Sequence, residues 1–406
     1  MLALQESTRT DDVLGLLSSL RNPPPTSAEI SKSTEPAYKS FHREEAAFRH
    51  RQLRLSRFRA LSLTVREEER EESGLGHAQT YSGARASPTG AQSCSIPIEA
   101  FSHVEVDTAV RNPPRSAAVY KKMSVWVEWK YYHHGVGDVP EPSRQVKRRV
   151  DGLAKLLGDE SKPDEFRVPQ CLGYVHDVNH GRFGFVFKGR GTPRPLLPLS
   201  LRSLLGTGAK KPSLSKRMAI ARGLVTAVWY LHATDWPHGG IRSENVIFND
   251  EAEFASPMPL LCGFEYSHPA GLDDVSATDL QHDLYRRPKA QVRFSDDLPN
   301  GGTRVSRKIL DVYSLGVVLF EIGAWQPVDQ VLGLYSRTTD QVDIQVARRK
   351  LLADEAMELL EAETGAIYAG VVGTCLEGKF GGEGLDDNVL VEFGERVVSI
   401  LSDVIV

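Results

Sequence analysis

HGGIRSENVIF, His238 to Phe248, is the stretch on which the fold of this chain turns. A histidine, two glycines and a polar run through Arg242, Glu244 and Asn245 lead into three apolar residues, the pattern of a loop feeding a short strand. On its N-terminal side, SLSKRMAIARGLVTAVWYLHAT puts Leu214, Met218, Ala221, Val225, Val228 and Leu231 on one stripe and predicts a long helix. On its C-terminal side, PLLCGFEYS reads as a further strand piece. DVYSLGVVLFEIGAW is apolar nearly all round, which predicts a buried helix.

Ahead of this frame the pattern is strand-like. SAAVYKKMSVWVEWKYYHH predicts two strands joined at Lys121 and Lys122, the second over Ser124 to Tyr132 and rich in Val, Trp and Tyr. SRQVKRRVDGLAKLL follows as a helix, with Val146, Val150, Leu153 and Leu157 on one face and Ser143 as N-cap. FRVPQCLGYVHDV and RFGFVFK then predict two more strands, connected through Asn179-His180-Gly181. Strands first and helices second make the fold class α+β. With 406 residues and 41% hydrophobic content, the chain has core enough for more than one domain or one large two-lobed one.

These landmarks, in this order, resemble a protein kinase over about residues 95 to 406. Val127-Glu128-Trp129-Lys130 is similar to the V-A-I-K of the third strand, whose lysine grips nucleotide phosphates. His238 to Asn245 matches H-R-D-L-K-P-E-N in length, with Asn245 in the metal-ligand place and Arg242 in place of the lysine. Gly263-Phe264-Glu265 occupies the D-F-G place, and Tyr285-Arg286-Arg287-Pro288-Lys289 resembles the Y-R-A-P-E that closes the activation segment. Asp311-Val312-Tyr313-Ser314-Leu315-Gly316 resembles D-x-W-S-x-G, whose aspartate braces the catalytic loop. The wording of VWVEWK, HGGIRSENVIF, LCGFEYS, LYRRP and CLEGKFG is similar to the kinase-like C-terminal domain of fungal proteins linked to prion inhibition and propagation, often preceded by a helical HeLo-type domain. The resemblance implies a two-lobed fold, a small β-rich N-lobe at 95–188 and a larger helical C-lobe at 189–406. An extension at 1–94 would precede it, with flexible linkers around a basic amphipathic helix at about 36–70.

GRFGFV, Gly181 to Val186, mimics the end of a phosphate loop. Too few residues separate it from His238 for a lysine strand, a helix and two further strands, so its glycines are assigned to the hairpin between strands four and five. No glycine lies between Gly90 and Lys130, which leaves the expected phosphate loop without its backbone donors.

Phosphoryl transfer needs metal to neutralise developing charge and a carboxylate to orient the hydroxyl. Gly240 and Gly263 stand at the two carboxylate positions, so no catalytic residue is expected. Nucleotide contacts, if made, fall to Lys130, Arg242 and Asn245, with Asn245 the metal ligand of an active form. Alternation puts Glu128 on the face of Lys130, where it is expected to pair with the lysine and block the cleft. His238, Phe264 and Asp311 are expected to be structural. Lys289 and Glu383, both reversed in sign relative to the family's glutamate–arginine brace, are expected to pair.

Two functions follow from the resemblance. One is a binding or scaffold module, a pseudokinase in fungal signalling or self-recognition, needing no cofactor and meeting other proteins through its C-lobe or N-terminal helix. The other is an atypical active kinase that binds ATP and magnesium, recruits Glu244, Glu265 or Asp311, and phosphorylates protein Ser/Thr.

FHREEAAFRHRQLRLSRFRALSLTVREEEREE predicts the basic helix, with Phe41, Phe48 and Leu55 seven apart and Arg49, Arg51, Arg54, Arg57 and Arg59 in its middle. Its apolar stripe is narrow, so it reads as a solvated helix, and membrane contact is the weaker reading. A net charge of -4 gives no reason to expect nucleic acid. No run of about 18 apolar residues predicts a span, and MLALQESTRTDD has neither a charged n-region nor an apolar core, so a cytoplasmic location is expected. Cys94, Cys171, Cys262 and Cys375 lack metal or disulfide spacing and read as small hydrophobes.

Overall fold

Lys121 and Lys122 both take left-handed backbone angles, φ 47° and 63°, and so close a two-residue hairpin turn whose twist matches its strands. The strands are β2 (Arg115–Tyr120) and β3 (Met123–Tyr131). This computed structural model describes residues 50–65, 94–105, 114–132, 141–189, 196–206, 211–248, 258–264, 284–286, 306–334, 349–351, 353–380 and 386–404. The chain is α+β. The described residues divide into two compact units, one drawn from Phe58–Lys162 and Val168–Pro198, the other from residues up to Arg57, Pro163–Arg167 and the chain from Leu199 onward. The strand-rich unit thus takes in residues from Phe58, assigned by sequence to an extension ending at 94, and it runs to Pro198 rather than 188.

That unit is built on a five-stranded antiparallel sheet, order β1-β2-β3-β5-β4, with β1 at Phe101–Glu105, β4 at Cys171–Asp177 and β5 at Arg182–Lys188. Alternation along β3 sends Val125, Val127 and Trp129 into a core with Ile96, Ala118, Val175 and Val186. The opposite face carries Trp126 and Glu128, and Trp126 stacks on Phe187 across the strand pair, 4.4 Å between ring centroids. The glycines of GRFGFV are hairpin and packing residues, as expected. Gly181 has φ 59° in the β4–β5 turn, and a Cβ on Gly184 would lie 2.4 Å from Val127 Cγ1.

Helix α2 (Arg144–Gly158) lies between β3 and β4 in the chain, capped by Ser143 Oγ, which accepts from Val146 N at 3.3 Å. It buries Val150, Leu153, Ala154, Leu156 and Leu157. Helix α1 (50–65) corrects the solvated reading: Leu55, Phe58, Ser62 and Val65 are buried. Within the strand-rich unit, Val65 Cγ1 lies 2.8 Å from where Gly152 would carry a Cβ. Following one row of sevens misses the mixed three- and four-residue spacing of this stripe. Within the helical unit, to which the helix contributes its residues up to Arg57, Arg51 is engaged with Glu165 at 2.7 Å and Arg54 with Asp164 at 3.6 Å.

The helical unit opens with β6 (Leu199–Ser200) and α3 (Leu201–Gly206), followed by α4 (Leu214–Ala233), whose N-cap Ser213 accepts from Lys216 N. Met218, Ala221, Val225, Val228 and Leu231 are buried as predicted. Strands β7 (Val246–Phe248) and β8 (Leu260–Leu261) complete a three-stranded sheet, β6-β7-β8. Helix α5 (Arg307–Ala324) is buried nearly throughout. It packs on α4, on α7 (Asp354–Thr364) and on α8 (Ala366–Glu377); a Cβ on Gly316 would meet Cys375 Cβ at 2.8 Å, so the glycine permits the close approach to α8. A short α6 (Val328–Val331) follows α5, and α9 (Asp386–Phe393) runs on through a π turn, Gly394–Ser399, to Asp403. Among the described residues, no helix is long and apolar enough to cross a membrane.

Candidate functional site

The loop between α4 and β7 hangs on one carboxylate. Asp311, in the second turn of α5 and 1% exposed, accepts from His238 N at 2.6 Å and Gly239 N at 2.8 Å, and from His232 Nε2 at 3.0 Å. Burial pushes its carboxyl upward, but the His232 hydrogen bond, the His232 and His238 rings and the Gly239 N–H outweigh it and hold the group below its ordinary range. Gly239 bends the chain with φ 76°, a left-handed angle that suits glycine. The expected brace is in place.

The inner wall of the loop is aromatic and amide. His238 is fully buried, its Nδ1 accepts from Gly240 N at 3.0 Å, and the Phe264 ring lies 4.3 Å from it and 4.9 Å from Trp236. Asn245 donates from Nδ2 to Gly240 O at 2.8 Å, and its backbone carbonyl accepts from Cys262 N at 2.9 Å. Gly263, at φ 85°, leaves the room this amide fills: an added Cβ would stand 2.0 Å from Asn245 Nδ2 and 2.3 Å from its Cγ. The space in which the kinase resemblance would put a metal carboxylate is therefore filled by the Asn245 side chain. Arg242 Nε lies 3.9 Å from Glu244 Oε2, a cation beside a local acid.

In the strand-rich unit, Glu128, expected to pair with Lys130, is held by Arg115. Glu128 Oε1 accepts from Arg115 Nη2 at 2.8 Å and Nε at 3.0 Å, with Glu128 only 5% exposed. Arg115 stands directly opposite Glu128 in the β2–β3 register, and residues facing each other across strands approach more closely than residues two apart on one strand. The guanidinium also lies 5.9 Å from the centre of the Trp126 ring. Lys130, half-buried, stands opposite Phe183 on β5. Glu265, Lys289 and Glu383 lie outside the described residues.

Sequence reasoning missed a second polar cluster in the helical unit. Ser243 Oγ donates to Tyr285 Oη at 2.8 Å, and Tyr285 Oη donates to Glu321 Oε1 at 2.8 Å, which also accepts from Val328 N at 2.9 Å. Glu321 is fully buried on α5, and burial pushes its carboxyl up to about 8. Its one trace in the sequence is Glu321 itself, an acid within the apolar run Leu315–Ala324, and its partners lie elsewhere in the chain. Beside it a small pocket is lined by Arg202, Glu244, Leu284, Tyr285, Val328 and Asp329, where Arg202 grips Asp329 through two bonds of 2.7 and 2.6 Å.

Compared with models of protein families and with curated proteins, the chain matches none.

Proposed function

We propose that this chain is a pseudokinase: a protein-kinase-fold module that binds other proteins and transfers no phosphate, in a fungal signalling or self-recognition setting. The observation that carries the reading is the interlock of Gly263 with Asn245. In the family this region holds magnesium between an aspartate and an asparagine; here the first is glycine with no room for a carboxylate, and the second is a strut whose amide nitrogen points at Gly240 O. Gly240 supplies no base. This donor set does not fit magnesium, and no step of phosphoryl transfer is derived through it.

The frame that remains supports the kinase part of the proposal. The chain order of three strands, a helix, two strands and then helices matches the order the resemblance implies. A buried aspartate early in an apolar helix holds the loop where the family's catalytic residues would sit. Glu128, fixed by Arg115 on the face it shares with Lys130, adds a buried carboxylate where a nucleotide would need an uncharged roof.

Isothermal titration with ATP, with and without magnesium, tests this reading. Heats that stay at the dilution level in both conditions are expected; saturable binding that requires magnesium would favour the atypical-kinase reading instead.

A further inference from the structure

We infer that Glu321 is a proton-held latch: its protonated carboxyl ties Tyr285, and through it Ser243 of the 238–248 loop, to α5 and to the start of α6, and acidification tightens the tie. The inference goes beyond the proposed function and does not depend on it.

The geometry asks for a proton. Glu321 Oε1 takes both hydrogen bonds, from Tyr285 Oη and Val328 N, while Oε2 is buried with no hydrogen-bond partner. An ionised carboxylate would strand a charged oxygen in the core, which is costly; a carboxylic acid leaves only a neutral hydroxyl there. The cation near enough to help, Arg202, is committed to Asp329 through its two short bonds. Burial is the largest influence on this carboxyl and Glu244, on the turn after Arg242, adds like charge; together they outweigh the Val328 N–H, the Tyr285 hydroxyl and the Arg202 charge, each of which favours ionisation. Tyr285 itself stays protonated, because burial and then Glu321 and Glu244 push its hydroxyl well up. From the neighbouring helices, Tyr368 on α8 donates to Leu319 O and is likewise kept protonated by burial, and Arg217 on α4 donates to Gly323 O.

The cluster joins four separate pieces of chain. Ser243 belongs to the loop braced by Asp311, Tyr285 to the 284–286 segment, Glu321 to α5, and Val328 to α6. Ser314, about two turns before Glu321 on the same face of α5, holds the same segment by donating to Tyr285 O at 2.7 Å. Opening the latch lets water reach Glu321 and returns its carboxyl to an ordinary value, so each opening releases a proton once the pH exceeds that value. The sign follows from linkage. A carboxyl raised in the closed state strengthens closure fully in acid, and that strengthening is lost as the pH climbs toward about 8.

The test is hydrogen exchange of the Val328 amide in the full chain, corrected for the intrinsic rate, from about pH 5 to about pH 9. The expected opening constant rises about tenfold per pH unit over the lower part of that range and levels near pH 8, while Glu321→Gln gives a flat profile. Equal slopes in the two proteins would overturn the inference. Infrared difference spectra of the unaltered chain keep the test decisive should the variant fail to fold. A protonated-carboxyl stretch that disappears with a midpoint near pH 8 is expected, and its absence at neutral pH would overturn the latch.

Discussion

Gly263 and Asn245 share a space that admits one side chain. Placing an aspartate at position 263 therefore does not create a metal site; it drives a Cβ to within 2.0 Å of an amide while holding a left-handed φ of 85°. Gly263→Asp is expected to destabilise by about 2 to 4 kcal/mol, from overpacking and backbone strain together. Denaturant unfolding checks this, and a loss under about 0.5 kcal/mol would contradict it. Combining it with Asn245→Gly should recover much of the loss, since the two sites compete for one volume. The Arg115–Glu128 pair makes a second residue-scale prediction. Arg115→Met leaves a buried carboxylate without its guanidinium and is expected to cost about 3 to 5 kcal/mol, whereas Arg115→Met with Glu128→Leu should fall near the parent. A double variant as unstable as the single one would refute the pairing. Neither partner choice was legible in the sequence. Alternation showed that Glu128 and Lys130 share a face, but that Arg115 reaches the carboxylate depends on register, and the Arg115↔Glu128 register exists only once β2 and β3 pair.

Asp311 shows what an element contributes beyond its own residues. Helix α5 could bury its apolar surface with any small residue at that position; the aspartate is what makes the helix hold a loop, through two backbone N–H groups and His232. Asp311→Ala should therefore cost about 3 to 5 kcal/mol by stranding these buried donors. It should also weaken protection of the Gly239 amide more than that of α4. Uniform loss across the unit would argue against a local brace. At this scale the sequence was most informative. The Lys121-Lys122 turn, the Ser143 cap, the α4 stripe and the buried α5 all rest on short-range patterns that folding leaves intact. Helix α1 was misread because its stripe is two interleaved sevens, Leu55–Ser62 and Phe58–Val65, and the row followed in the sequence, from Phe41 through Leu55, runs onto a polar residue at 62.

Over the whole molecule, the proposed pseudokinase reading sorts the residues of the resemblance into two groups. Those that position backbone form one: Asp311 under the loop, His238 and Phe264 packed beside it, Gly239 at its bend. Residues that would handle phosphate and metal are glycine, or, like Asn245, are given over to the loop's own hydrogen bonds. The order of strands and helices was legible in the sequence, because it rests on short-range patterns of apolar, turn and capping residues. The Ser243–Tyr285–Glu321 cluster was not, since its members are far apart in the chain and meet only in the folded unit. The most direct test of the central claim is incubation of the purified full chain with γ-labelled ATP and magnesium, beside Lys130→Ala. The expected result is no transfer of label to the chain or to a generic protein acceptor, in either protein; label incorporated by the parent and lost in Lys130→Ala would contradict the account.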